Sequence, residues 1–401
     1  MKMKFIRLLC FCLLLSNLSL FTACSTDAGD PPIIPVSYTV LIYMAADNSM
    51  DSEVDYTLKE LKEGMRHSGG TTVIYLDRLE EPPRLFRITT EGEEISLKNY
   101  QEENSADAAT LLRVINDTKE LIPSDKFGLV YWSHSMGWVP SGYSKETRGM
   151  NVSASFPRTR YLGMDQHQAG DVQDLTLMEI DEMAASLPDN VAEFILFDAC
   201  MMGSVEALYQ LRNKCDYFVV SPAEVLMEAD YDASGMPYSD ILPDLFRGKE
   251  GLLETCRKYY NHYNNMSAKI LRSATIAMID ARQLDGLYNA VGNILNNHLF
   301  AMQTLNTDGL QVYHRASLPR VFFDLDDVMK LVSTTVQYQI FKTQLDQTVL
   351  YKAYTEKFAG DLILERCSGL SVYVPLNKWK DNKEYIYYFN SLAWSKVYGN
   401  N

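Results

Sequence analysis

Short apolar runs separated by stretches of helical spacing are what most limit how this chain can fold. Val36 to Met44, Thr71 to Asp77, Phe127 to Tyr131, Phe194 to Phe197 and Tyr217 to Ser221 are dominated by aliphatic and aromatic residues and alternate little. Such runs read as strands covered on both faces. Asp47-Asn48-Ser49 turns the first run into an acidic helical stretch from Asp51 to Arg66, and Ser105 to Leu121, Leu175 to Leu187 and Val205 to Arg212 supply further helices. Alternating strand and helix predicts a parallel sheet with right-handed crossovers. Arg84 to Thr89 reads as an edge strand or hairpin arm. The second half reads as mainly helical, over Leu252 to Asn264, Gln283 to Leu299, Asp326 to Tyr338 and Gln344 to Phe358, interrupted by strand-like Thr275 to Ile279 and Leu370 to Pro375. The expected class is therefore α/β, with a mostly parallel central sheet flanked by helices and a mainly helical C-terminal half.

Two of the runs end in segments that can do chemistry. Trp132-Ser133-His134-Ser135-Met136-Gly137-Trp138 follows one, and Asp198-Ala199-Cys200-Met201-Met202-Gly203 follows another. Ligands of open α/β sheets bind outside the carboxyl ends of the parallel strands, so these two ends are expected to face one crevice. A cysteine nucleophile needs a neighbouring imidazole that stabilises the thiolate or takes its proton. Taken alone, Cys200 reads as a small buried hydrophobe and His134 as an ordinary satisfied histidine. Their joint placement, 66 residues apart and each before a Gly-containing turn, favours a dyad.

The N-terminus predicts export. Lys2, Lys4 and Arg7 precede a mostly apolar stretch, Leu8 to Phe21, which is short for a permanent membrane span. Phe21-Thr22-Ala23-Cys24 resembles a bacterial lipoprotein box, which implies a signal peptide over residues 1–23 and acylation of Cys24. The alternative is a secreted or periplasmic protein cut near Ala23. Residues 24–36 read as a flexible tether. Loss of Lys2, Lys4 and Arg7 takes the formal net charge from −15 to −18, so the chain has no general field for nucleic acid and attracts basic partners instead. Of seven cysteines, Cys200, Cys215, Cys256 and Cys367 remain in the folded part without Cys-x-x-Cys spacing. That pattern fits neither a disulfide scaffold nor a zinc site.

Tyr43-Met44-Ala45-Ala46-Asp47-Asn48, Ser133-His134-Ser135-Met136-Gly137-Trp138, Phe197-Asp198-Ala199-Cys200-Met201-Met202-Gly203, Gly235-Met236-Pro237-Tyr238 and Gly369-Leu370-Ser371-Val372-Tyr373-Val374-Pro375 together resemble, in order, the clostripain family of cysteine peptidases. The resemblance implies the caspase-like fold shared with gingipains and legumains. It divides the chain into a catalytic core over 37–250 and a mainly helical region over 251–401 that completes or buttresses it. It implies His134 as general acid/base and Cys200 as nucleophile. The backbone N–H groups of Cys200 and Ser135 would form the oxyanion hole, Ser135 standing where the family carries glycine. It further implies cleavage after Arg or Lys, for which Asp198 is the first candidate carboxylate, with Glu224, Glu228, Asp230 and Asp232 on the loop after Ser221-Pro222.

Each of these acids also has an ordinary reading, Asp198 as a helix cap and the others as a solvated acidic loop. The long polar stretch from Pro140 to Gln173 offers Lys145, Arg148, Arg158 and Arg160 as self-cleavage sites, or as a plain basic surface loop. No cofactor is required for the chemistry. Calcium dependence occurs in the family, but no EF-hand-like loop is present, and metal is left unassigned. The resulting expectation is a lipid-anchored endopeptidase of the bacterial outer membrane or cell surface acting on proteins or peptides with basic residues. A catalytically silent surface lipoprotein that binds peptides or host proteins is the alternative, and an acid-specific caspase-like peptidase is disfavoured by the acidic loop.

Overall fold

A nine-stranded sheet organises the chain, in the computed structural model that describes residues 36–140, 165, 178–296, 298–315 and 321–399. The predicted signal peptide, nearly all of the tether, Cys24, and the basic residues Lys145, Arg148, Arg158 and Arg160 lie outside the described residues. The strands are β1 (Val36–Ala46), β2 (Thr71–Arg78), β3 (Arg84–Ile88), β4 (Glu94–Asn99), β5 (Ser124–Trp132), β6 (Phe194–Asp198) and β7 (Tyr217–Val220). They are followed by a small hairpin of β8 (Met227–Glu228) and β9 (Ala233–Ser234), then β10 (Thr275–Asp280), β11 (Phe323–Asp324) and β12 (Val349–Tyr354). The order across the large sheet is β12-β10-β7-β6-β5-β1-β2-β3-β4. Its centre, β7-β6-β5-β1-β2, is parallel, and both margins are antiparallel. This is the caspase-like arrangement of a mostly parallel central sheet flanked by helices.

The chain builds outward from β1. Helix Asp51–Met65 returns it to β2 on one side, and after the β3-β4 hairpin the helix Ala108–Leu121 returns it to β5 on the other. The reversal of direction between β1 and β5 opens a crevice beyond their carboxyl ends. Continuous apolar sequence in β1 and β6 matches their burial on both faces. Three tyrosines lock the register at the centre. Tyr43 pairs with Tyr75 and Tyr131, its ring stacks on theirs at 4.6 and 5.6 Å, and its hydroxyl donates to the Ser105 carbonyl at 2.8 Å.

Two expectations need correction. Gln344 to Phe358 is not one helix: helix Thr335–Thr348 ends and Val349–Tyr354 continues as β12, antiparallel to β10. The β-branched and aromatic residues Val349, Tyr351 and Tyr354 find a partner strand there, and pairing overrides the local helical spacing. Asp326 to Tyr338 is two helices, Leu325–Val332 and Thr335–Thr348, split where Thr334 and Gln337 form a capping box. The sheet therefore runs across the 250/251 boundary. Strand β4 was not foreseen because its residues are almost all exposed, leaving no apolar face to detect. Among the described residues no helix is long and apolar enough to cross a membrane.

Helix Asp51–Met65 packs so closely on the Tyr238–Ile241 helix that a Cβ at Gly64 would lie 2.4 Å from the Tyr238 carbonyl oxygen. Alanine would gain about 1 kcal/mol of helix propensity, yet displacing backbone costs about 1–3 kcal/mol. Gly64→Ala is expected to lower the thermal midpoint, whereas Gly69→Ala, with nothing within 4 Å, leaves it nearly unchanged. Equal midpoints in a thermal melt would contradict this packing.

Candidate active site

Parallel pairing of β5 with β6 sets Trp132 opposite Asp198. His134 and Cys200 each stand two residues beyond that pair, on adjacent strands whose axes lie about 4.8 Å apart. The two exits touch. A Cβ at Gly137 would sit 2.5 Å from the Met201 carbonyl oxygen, so only glycine, here at φ +62°, allows this approach. The Ser135 hydroxyl contacts the Met202 sulfur at 3.0 Å and accepts from the Gly137 N–H at 2.8 Å. Ser135 itself is not among the residues with positive φ, so serine in place of glycine imposes no backbone strain at this position. Met201 does take φ 58°, a conformation rare for a non-glycine residue, held by its N–H bond to the Ala223 carbonyl at 2.8 Å.

The histidine is held from the β1 side. Ser49, just past β1, meets His134 Nε2 at 2.9 Å, and Ser133 donates to the Ala45 carbonyl at 3.0 Å. Ser49 itself is placed by an Asn48 turn, in which the Asn48 side chain donates to the Ala45 carbonyl and accepts from the Met50 N–H. His134 is 4 % exposed and Cys200 3 % exposed. Burial pushes the Cys200 thiol well up, and the Glu224 and Asp198 charges add to it. The Val225 N–H, 3.2 Å from the sulfur, and the Arg315 charge act in the opposite direction. Burial thus favours the neutral thiol, which is bedded on the Val225 peptide.

The anticipated acids go to different places. Asp198 is fully buried, its carboxylate accepting from the Met236 N–H at 3.0 Å and the Tyr238 hydroxyl at 2.9 Å. Burial lifts its pKa to about 6 against the pull of these two donors. Gly235, at φ +59°, is again obligatory, since a Cβ there would lie 2.6 Å from an Asp198 oxygen. Glu224 is buried and takes a two-pronged contact from Arg315, Nε to Oε2 at 2.9 Å and the second amino group to Oε1 at 3.3 Å. Glu228 is half-buried on β8, and Asp230 is exposed on the following turn. Asp232 accepts from Tyr56 at 2.5 Å, which ties the loop to helix Asp51–Met65.

Ser49 and Arg315 were not foreseen. Ser49 directly follows the Tyr43-to-Asn48 segment, but nothing in its spacing announces the histidine. Arg315 sits in aperiodic sequence and reaches Glu224 from 91 residues away. Removing one partner of a buried pair leaves an uncompensated charge, at about 3–5 kcal/mol. Arg315→Met is thus expected to lower the thermal midpoint clearly, and adding Glu224→Gln to recover part of the loss. A double variant no more stable than Arg315→Met alone would refute that coupling.

Residues 42–399 match the model of the Clostripain family of C11 peptidases. Clostripain of Hathewaya histolytica is 24 % identical over 198 residues, which cover 43 % of this chain and only 36 % of that protein's length. The inactive zymogen of a C11 protease from Parabacteroides distasonis is 30 % identical and superposes with a TM-score of 0.76 over 92 % of this chain and all of the other. A secreted C11 cysteine protease from Bacteroides thetaiotaomicron, called iotapain, is 26 % identical with a TM-score of 0.72, over 91 % of this chain and 99 % of its own. The chain belongs to the clostripain family of cysteine peptidases.

Proposed function

We propose that the protein is an exported cysteine endopeptidase that cleaves after Arg or Lys, with Cys200 as nucleophile and His134 as general acid/base. The observation that supports this most is the register of β5 and β6, which brings the two exits together with Gly137 and Met201 in contact. Cys200 Sγ attacks the scissile carbonyl to give a thioacyl enzyme, its proton passing to His134, which protonates the leaving amine. His134 then takes a proton from water, the resulting hydroxide attacks the thioester, and the thiol is regenerated. The N–H groups of Cys200 and Ser135 are the proposed oxyanion donors. Ser49 at Nε2 favours one orientation of the ring.

Asp198 is the proposed selector of the basic side chain, supported by its position two residues before the nucleophile. Glu224, already engaged by Arg315, is the weaker candidate. Self-cleavage at Lys145, Arg148, Arg158 or Arg160 is proposed on the basic side chains that this long polar stretch carries. The signal sequence and Cys24 support lipid anchoring on the cell envelope.

A panel of fluorogenic peptides ending in Arg, Lys, Asp or Asn tests the reading. Turnover of the Arg and Lys members under reducing conditions, abolished in Cys200→Ala and His134→Ala, is expected. No turnover, together with no labelling of Cys200 by a basic chloromethyl ketone, would instead favour the silent peptide-binding lipoprotein. On a denaturing gel, wild type is expected as two fragments and Cys200→Ala as one intact chain. Identical intact bands would remove self-cleavage.

The Asp198 carboxyl also fixes a pH response. Its pKa of about 6 means that the selecting charge is present above that pH and lost below it. KM for an Arg substrate is expected to rise about tenfold between pH 7 and pH 5, as the ionised fraction drops to about a tenth. Asp198→Asn is expected to hold KM high at both. A flat KM in the wild type would rule Asp198 out as selector.

A further inference from the structure

The carboxylate of Asp198 is satisfied on one side only. The Met236 N–H and the Tyr238 hydroxyl both donate to its Oδ2, at 3.0 and 2.9 Å. Its Oδ1 is equally out of water and has no hydrogen-bond partner among the described residues. A buried acceptor without a donor is costly, and its persistence in a folded protein calls for a reason.

A second buried polar atom nearby has the same deficit. Tyr259 and Tyr263 lie one turn apart on the buried face of helix Gly248–Asn264, with ring centroids 4.8 Å from each other. Tyr263 is tied to the selector's surroundings: its hydroxyl donates to the Gly235 carbonyl at 2.6 Å. Gly235 in turn presses on Asp198 so closely that a Cβ would stand 2.6 and 2.9 Å from the two carboxylate oxygens. Tyr259 makes no such bond. It has no exposed surface, and its hydroxyl meets no partner among the described residues. Burial first, and then the Asp198 carboxylate and a Cys200 thiolate, raise its pKa well above the ordinary tyrosine value. The hydroxyl therefore stays protonated, within electrostatic reach of both selector and nucleophile.

We propose that Tyr259 is a specificity-determining residue for arginine, its hydroxyl oxygen accepting an N–H from a substrate guanidinium whose neighbouring N–H groups meet Asp198 Oδ1. This inference rests on the reading of Asp198 as selector. A guanidinium is a rigid planar fork with five donors and can meet two separate acceptors at once. A lysine ammonium is a compact point charge that one carboxylate serves as well. A carboxylate alone would take either side chain, whereas a carboxylate with a second acceptor beside it favours arginine. Gly235 closes over Asp198 here, so the Gly235-Met236 turn has to yield when a side chain enters. Tyr259 comes from beyond residue 250, and in this role the helical region completes the pocket as well as buttressing the core. As a plain core residue it would need its ring and not its hydroxyl.

Binding by an inactive chain tests this apart from catalysis. Fluorescent peptides ending in Arg or in Lys are titrated with full-length Cys200→Ala protein while anisotropy is followed, and the Arg peptide is expected to bind about tenfold more tightly. Adding Tyr259→Phe is expected to weaken the Arg peptide about tenfold and the Lys peptide less than about threefold. Its thermal midpoint is expected to be no lower than the parent's, because the hydroxyl removed has no partner. In the active enzyme the same substitution is expected to raise KM for an Arg substrate more than it lowers kcat. Asp198→Asn is expected to weaken both peptides and so reports on the selector itself. Weaker binding in Asp198→Asn with unchanged Arg affinity in Tyr259→Phe would overturn the role of Tyr259 alone. No loss in either variant, or no binding of either peptide, would remove Asp198 as selector with it. Equal losses for the two peptides, or a loss that comes with a lower midpoint, would make Tyr259 a structural residue and overturn the proposal.

Discussion

The parallel ladder between β5 and β6 is the constraint on which the candidate site rests. A slip of one residue would move Trp132 off Asp198 and turn every side chain of one strand to the opposite face. The register is defended where it matters. Gly128 lies opposite Phe194 and leaves room for its ring, which would otherwise come within 2.3 Å of a Cβ. The stacked tyrosines do the same work between β5, β1 and β2. Precision at the two exits is inherited from interactions within the strands that lead to them.

Much of this was legible because buried parallel strands write themselves as unbroken apolar runs. Those of β1, β2, β5, β6 and β7 fall where the sequence places them, and so do the exits with His134 and Cys200. What escaped has a common physical cause. Strand β12 looks helical by spacing because only its pairing with β10 makes it a strand, and β4 has no buried face to betray it. Arg315 and Ser49 matter through contacts across long sequence distances, and no local pattern encodes such contacts. Asp198 was found by its position, yet the depth of its burial and the donors around it belong to the Gly235-Met236-Pro237-Tyr238 turn folding over it.

Buried acid is the theme of the electrostatics. Asp77, Asp198 and Glu206 all lie out of water and all have raised pKa values, each with desolvation as the first cause. The protein answers each differently. Glu206 accepts the Tyr373 N–H and pins the stretch after Gly369 to helix Val205–Gln210. Asp198 keeps two donors, and Glu224 has an arginine. Desolvation favours neutral forms and donors favour charged ones, so the local count of donors decides how much negative charge the crevice holds.

The antiparallel margin formed by β10 and β12 has a consequence for the timing of folding. Strand β10 covers the free edge of β7, and β12 in turn covers β10. A growing chain cannot close that side of the sheet until Tyr354 has been made. Until then β10, paired on its other side with β7, presents unpaired backbone to its surroundings. A protein dominated by such distant pairings folds late and as a unit. The sheet from which Cys200 projects is therefore closed at that margin only when nearly the whole polypeptide is present.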